Sequence, residues 1–131
     1  MRSIPLVIAL FAATAPTLAR DRGVPQATPA GKPVDCITIR DIRESRVRSD
    51  SVIDFYGPGK RVYRNVLPGG GCPALGFERR FSYRTSISQL CSVDIITVLQ
   101  SGGPNNLMPG ASCGLGKFQP VTLAERRRPQ R

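Results

Sequence analysis

The sequence predicts an all-β protein: a small antiparallel barrel or strongly curled sheet of five to six strands, stapled by disulfides. Three observations carry that expectation. Short runs rich in Val, Ile, Phe and Tyr are separated at regular intervals by Gly, Pro, Asn and Ser, the pattern of hairpin-connected strands. Four cysteines, Cys36, Cys72, Cys91 and Cys113, form an even set. An apolar leader precedes them and sends the chain to an oxidising compartment, where such cysteines pair.

The leader is a signal peptide. Met1-Arg2-Ser3 is a short positive start, and Ile4 to Ala13 is an apolar run broken only by Pro5, too short to span a bilayer. Thr17-Leu18-Ala19 places small residues where a signal peptidase reads, so 1–19 is expected to be removed. No second hydrophobic segment follows, and the mature chain is expected to be periplasmic or secreted, with no transmembrane segment. Residues 20–34, with Pro25, Pro29, Pro33, Gly23 and Gly31, read as a flexible linker. Residues 35–123 then form a single small β domain, and 124–131, with Arg126, Arg127, Arg128 and Arg131 around Pro129, a basic disordered tail.

Within the domain, Ile37 to Val47 follows neither period cleanly and admits a helical turn around Arg40 to Glu44. Val52 to Tyr56 is a strand, stopped by Gly57-Pro58-Gly59, and Arg61 to Leu67 is the returning arm of a hairpin. Pro68-Gly69-Gly70-Gly71 forces a turn. Phe77 to Thr85 alternates, with Phe77, Phe81 and Tyr83 on one face and Glu78, Arg80, Ser82 and Arg84 on the other. Val93 to Leu99 is apolar on both faces, which suits the centre of a sheet. Ser101 to Ser112 reads as a Gly, Pro and Asn-rich loop, and Gly116 to Leu123 as a last strand.

The cysteines allow three pairings. If residues 37–48 are one arm and each later strand reverses direction, Cys36 and Cys91 fall at one end and Cys72 and Cys113 at the other. Strand parity thus favours Cys36–Cys91 and Cys72–Cys113.

Chemistry is bounded by what is missing. The chain has no His and no CxxC, and its cysteines lie 36, 19 and 22 residues apart, so no metal site and no cofactor is expected. Without His, a serine nucleophile would depend on Lys32, Lys60 or Lys117, which lie in the linker or after glycine turns. Asp54 and Asp94 are the strand-borne aspartates, and pairing with nearby arginines is their simplest role. Gly57-Pro58-Gly59-Lys60 and Gly114-Leu115-Gly116-Lys117 resemble pieces of phosphate loops but open no helix, and read as turns. No catalytic residue is expected, and the protein is not expected to be an enzyme.

Of 19 Lys and Arg against 9 Asp and Glu, only Arg2 falls in the leader, leaving the exported chain at +9. Such an excess favours anionic partners. Arg79 interrupts the apolar face of Phe77 to Thr85; with Arg80 and Arg84 on that strand's polar face and Arg64 on a neighbouring arm, it forms the candidate anion-binding set. Nucleic acid is disfavoured, because stacking aromatics are scarce and Trp is absent.

Ile53-Asp54-Phe55-Tyr56, Val62 to Pro68, Cys72-Pro73-Ala74-Leu75-Gly76-Phe77, Leu90 to Asp94 and Cys113-Gly114-Leu115-Gly116-Lys117-Phe118 together resemble a family of small exported proteins of Gram-negative bacteria, a domain of unknown function. The resemblance covers essentially the whole core. It implies an envelope location and brings no catalytic residue. Two functions are therefore expected to compete: a non-catalytic periplasmic binding module with an anionic envelope partner, and an inhibitor or accessory subunit of an envelope enzyme. The second would use the outer face of Val93 to Leu99 or the Ser101 to Ser112 loop.

Overall fold

Val52-Ile53-Asp54-Phe55-Tyr56 sends Ile53 and Phe55 to one side of a strand and Asp54 and Tyr56 to the other, and this alternation organises the molecule. The computed structural model describes residues 23–124. The leader at 1–19, residues 20–22 of the expected linker and 125–131 of the expected tail lie outside them.

Among the described residues, ten strands form three antiparallel sheets. β4 (Val52–Tyr56) and β5 (Val62–Val66) make the anticipated hairpin, with Asp54 opposite Arg64. They sit in a five-stranded sheet between β3 (Glu44–Val47) on one side and β10 (Phe118–Leu123) on the other. β1 (Ala27–Pro29) closes the far edge against β10, so the stretch expected as linker supplies a strand. A two-stranded sheet joins β2 (Cys36–Thr38) to β7 (Gln89–Cys91). The third sheet is β6 (Phe81–Tyr83), β8 (Ile95–Ser101) and β9 (Leu107–Gly114), with β8 in the centre as its two-sided apolarity requires.

The core lies between the sheets. Ile53, Phe55 and Phe118 from the five-stranded sheet meet Ile96 and Val98 from β8, with Ile37, Leu90 and Leu75 closing the sides. Phe55 packs edge-on against Phe118 and Phe81, with ring centroids 5.5 and 6.2 Å apart. Buried Asn65 on β5 donates to the Gly116 carbonyl at 2.7 Å and accepts from the Gly116 amide at 2.8 Å, tying the turn before β10 to the sheet. Only glycine fits there, because a Cβ would run into the Val66 carbonyl oxygen.

Three expectations need correction. The described chain is not a closed barrel of five or six strands, because short elements end before any sheet can close on itself. The alternating strand expected from Phe77 begins instead as a helical turn, α1 (Leu75–Glu78), ended by Arg79 in the left-handed region at φ 57°. Phe77 is accordingly 86% exposed. Asp50 fixes this turn by accepting the Gly76 amide on its carboxylate at 2.7 Å and the Cys72 amide on its carbonyl at 2.7 Å. Finally, Ser101 to Ser112 is not a loop throughout: its second half is β9, a strand despite Pro109 and Gly110.

The disulfides are Cys36–Cys91 and Cys72–Cys113, as parity favoured. The premise behind that parity does not hold, since residues 37–48 are split by a 3-10 turn over Ile39–Asp41. The pairing has a local cause instead. Cys36 and Cys91 stand directly opposite one another on β2 and β7, with Cα atoms 4.0 Å apart. Cys72 is fully buried beside β9, where Cys113 reaches it. Two formed disulfides fit an oxidising, non-cytoplasmic environment. Among the described residues, no helix is long and apolar enough to cross a membrane.

Candidate functional site: a basic groove on the outer sheet face

The outer face of the five-stranded sheet carries charge where an outer face normally carries scattered polar groups. Residues opposite or two apart on neighbouring strands share a face, so the β3–β4–β5 register gathers Arg46, Asp54 and Arg64 into one row. Asp54 is completely buried there. Its carboxylate accepts from Arg48 Nε at 2.9 Å and from Arg64 Nε and Nη2 at 2.8 and 3.0 Å. Arg64 is further held by the Pro25 carbonyl, 2.9 Å from its Nη1. The segment before β1 therefore passes over the sheet and covers the ion cluster.

One carboxylate between two guanidinium groups leaves an excess positive charge, and Arg48 presents it outward. Besides Asp54 it donates to the Tyr56 hydroxyl at 2.8 Å, so that oxygen is an acceptor and its own proton remains free for a further partner. Arg46 lies over the Tyr56 ring, 4.7 Å from its centre, and donates to Glu44 at 2.8 and 3.1 Å. That hydrogen bond holds the Glu44 carboxyl below the usual carboxylate range and raises Arg46.

Arg46, Arg48 and Tyr56 line an open groove of about 790 Å³ together with Lys60, Arg79, Val62 and Leu123. Arg46, Arg48, Lys60 and Arg79 supply four lining cations, and among the described residues no carboxylate or serine lines the wall. Counting the groups immediately behind and beside them, Arg64, Asp54 and Glu44, five cations face two anions, a local net charge of +3. The fixed position of Arg48 matters as much as its charge: a guanidinium already held by Asp54 and Tyr56 loses little freedom when an anion arrives.

A second cleft, about 190 Å³, lies between Cys36–Ile42 and the β4–β5 turn and is lined by both Asp41 and Arg61. It is below the size of an ordinary small-molecule pocket.

The structure does not bring together Arg64, Arg79, Arg80 and Arg84. Arg64 lies beneath the groove, committed to Asp54. Arg79 is at the rim, its Nε 3.4 Å from the Gly76 carbonyl. Arg80 is paired with Glu78 at 3.0 Å, and Arg84 lines a separate hollow beside Asp94. Among the described residues Asp94 takes no arginine; it accepts the Cys91 amide at 2.7 Å and shapes the turn into β8. Arg46 and Arg48 were not singled out because no alternation was assigned within residues 37–47, and Lys60 was considered only as a turn lysine. Glu44-Ser45-Arg46-Val47-Arg48 does alternate, with Val47 inward and the charges outward. Lys117 stands 3.7 Å from Asp35, away from the groove. Comparison with protein-family models, with curated proteins and with solved structures finds no match.

Proposed function

We propose that the protein is a non-catalytic, exported binding module whose partner is anionic and sits in the groove on the outer sheet face. The observation that carries this reading is the cluster of Arg46, Arg48, Lys60 and Arg79 along one concavity with no lining carboxylate among the described residues. Cations on a folded surface are ordinarily interspersed with acids, and here the nearby acids are engaged by Arg48, Arg64 and Arg46. The export signal and two disulfides suit a module working in the envelope or outside the cell. Equilibrium binding to inorganic phosphate, polygalacturonate and phosphatidylglycerol vesicles, repeated in rising NaCl, tests the reading. At least one should bind, and progressively less well as salt shortens the Debye length from about 30 Å at 0.01 M to about 8 Å at 0.15 M. Affinity indifferent to ionic strength would remove its electrostatic basis.

A second reading, an inhibitor or accessory subunit, is favoured by one feature. β9 is an edge strand with Leu107 and Met108 about half exposed, and Val93 beside the same sheet is 86% exposed. An edge of this kind can receive a partner's strand. Recovery of one stoichiometric envelope protein, lost on Met108→Lys substitution, would support it.

A further inference from the structure

We infer that the smaller cleft, between Cys36–Ile42 and the β4–β5 turn, binds a free α-amino acid with an apolar side chain of medium size, its ammonium beside Asp41 and its carboxylate beside Arg61. The inference does not depend on the reading given to the basic groove, with which this cleft shares Tyr56 alone among the described residues.

The strand register makes the cleft. Ile53 and Phe55 face inward on β4, so the next inward position is Gly57, which has no side chain to place there. The Gly57 amide donates to the Arg61 carbonyl at 2.8 Å, which sets Arg61 opposite the gap, one inward step beyond Tyr63. The 3-10 turn over Ile39–Asp41 is held to the same end, because the Arg43 amide donates to the Tyr56 carbonyl at 2.7 Å. A Cβ at Gly57 would lie 3.5 Å from the Arg61 Cβ and 3.8 Å from the Asp41 carbonyl oxygen. Asp41 and Arg61 therefore flank the space that the missing side chain leaves. Gly57 lies outside the left-handed region, so no backbone conformation demands a glycine there.

Charge then selects the ligand. Among the described residues, Asp35, Glu44, Asp54 and Glu78 are ion-paired, and Asp50 and Asp94 accept backbone amides. Asp41 is the one described acid whose carboxylate has neither kind of partner, although it shares the cleft with Arg61 in a chain of 19 Lys and Arg. An acid and a base that line one cavity without joining each other suit a ligand that bridges them. A simple anion is opposed by Asp41 and a simple cation by Arg61, whereas a zwitterion meets a partner at both ends. Ile37, Ile42 and Phe55 add apolar lining. The cleft's volume of about 190 Å³ is a little above the roughly 150 Å³ of an apolar cavity that accepts benzene, which fits a side chain the size of leucine's.

The test is an NMR titration of the full mature chain with L-leucine, followed by backbone amide shifts. Leucinamide, which lacks the carboxylate, N-acetylleucine, which lacks the ammonium, and glycine, which lacks the apolar side chain, are titrated beside it. Leucine should shift the amides of Ile42, Gly57 and Arg61 and half-saturate at about 1 mM or below, within the reach of a ligand of its size. Asp41→Asn and Arg61→Gln should each weaken it about three- to tenfold, as expected for charged hydrogen bonds at a partly open mouth. Gly57→Leu should abolish binding by filling the gap; should that variant melt early, the two exposed charge variants still decide the matter. Leucinamide or N-acetylleucine binding as tightly as leucine would make the cleft a reader of a peptide's N- or C-terminus and overturn the free amino acid. Glycine binding equally well would overturn the apolar side chain. Shifts that never saturate, or leucine binding indifferent to both charge variants, would overturn the site itself.

Discussion

Asp54→Asn is the substitution with the most to say about how this sheet holds its charge. The side chain keeps its shape and one acceptor oxygen, but the countercharge to Arg48 and Arg64 disappears. Asp54 is fully buried, and the two arginine side chains retain only 16% and 13% of their exposure. Three charge-assisted hydrogen bonds of 2.8 to 3.0 Å are weakened or lost together. Removing one partner of a buried ion pair costs about 3–5 kcal/mol, chiefly because the remaining charge is left uncompensated. The residual solvation of the two guanidinium groups places this case near the lower end, about 3 kcal/mol. At ~4–8 °C per kcal/mol for a domain of this size, the melting temperature should fall by about 12–24 °C. The assay is urea unfolding followed by circular dichroism with both disulfides intact, read as a shift in midpoint at constant slope. A companion variant, Asp54→Leu with Arg48→Met and Arg64→Met, should recover most of the loss, because removing all the charges removes the uncompensated one. A loss below about 1 kcal/mol for Asp54→Asn, or no recovery in the triple variant, would refute this account of the cluster.

Other consequences are equally specific. Each disulfide closes a loop of similar length, 55 and 41 residues apart in sequence, and chain-entropy reasoning gives about 4 kcal/mol for either. Replacing both members by Ala should cost more at Cys72–Cys113, since Cys72 is completely buried within the main core cluster and Cys113 packs against it, whereas neither Cys36 nor Cys91 belongs to that cluster; thermal melts of the two double variants check the order. Gly116→Ala should destabilise by about 1–3 kcal/mol, because its Cβ meets the Val66 carbonyl oxygen and the Asn65 clamp leaves little room to shift. Equal stability to the parent in urea would contradict that packing. The Glu44 carboxyl is lowered in the folded state by its hydrogen bond to Arg46, so the pair's stabilisation is full above the ordinary carboxylate pKa and disappears as pH falls through the lowered value. An NMR titration should find Glu44 below its usual range and returning to it in Arg46→Gln.

Much of the fold was legible where one residue type dictates local geometry. The β4–β5 hairpin follows from Val52 to Tyr56 and the Gly57-Pro58-Gly59 stop, and the central place of β8 follows from apolar residues on both its faces. Elements too short to show a period were hidden. Ile37 to Val47 contains two three- or four-residue strands around a 3-10 turn, and three residues cannot display alternation against noise. α1 is a single turn whose position depends on Asp50, 26 residues earlier in sequence than the Gly76 amide it accepts. Phe77 looked like the start of an alternating strand because nothing local announces that remote hydrogen bond. β9 was masked by Pro109 and Gly110, tolerated because the strand lies at a sheet edge.

The groove was harder to foresee for the same reason. The basic excess was evident, but its location depends on the register that brings Arg46 opposite Asp54 and Asp54 opposite Arg64. Arg79, Arg80 and Arg84 fell in one apparent strand, yet α1 sends the first to the groove while Glu78 engages the second. Ionic pairing across strands determines which cations stay available, and a one-dimensional pattern does not contain it.

The most direct test of the central claim compares two sets of charge-neutral variants for binding to polygalacturonate at low salt. Arg46→Gln with Lys60→Gln and Arg79→Gln removes groove cations that are not bonded to Asp54, and Arg80→Gln with Arg84→Gln removes cations elsewhere. Binding should weaken at least about tenfold and lose salt sensitivity in the first set, and remain within about twofold in the second. Full binding in the first set with loss in the second would contradict the assignment of the groove as the anion site.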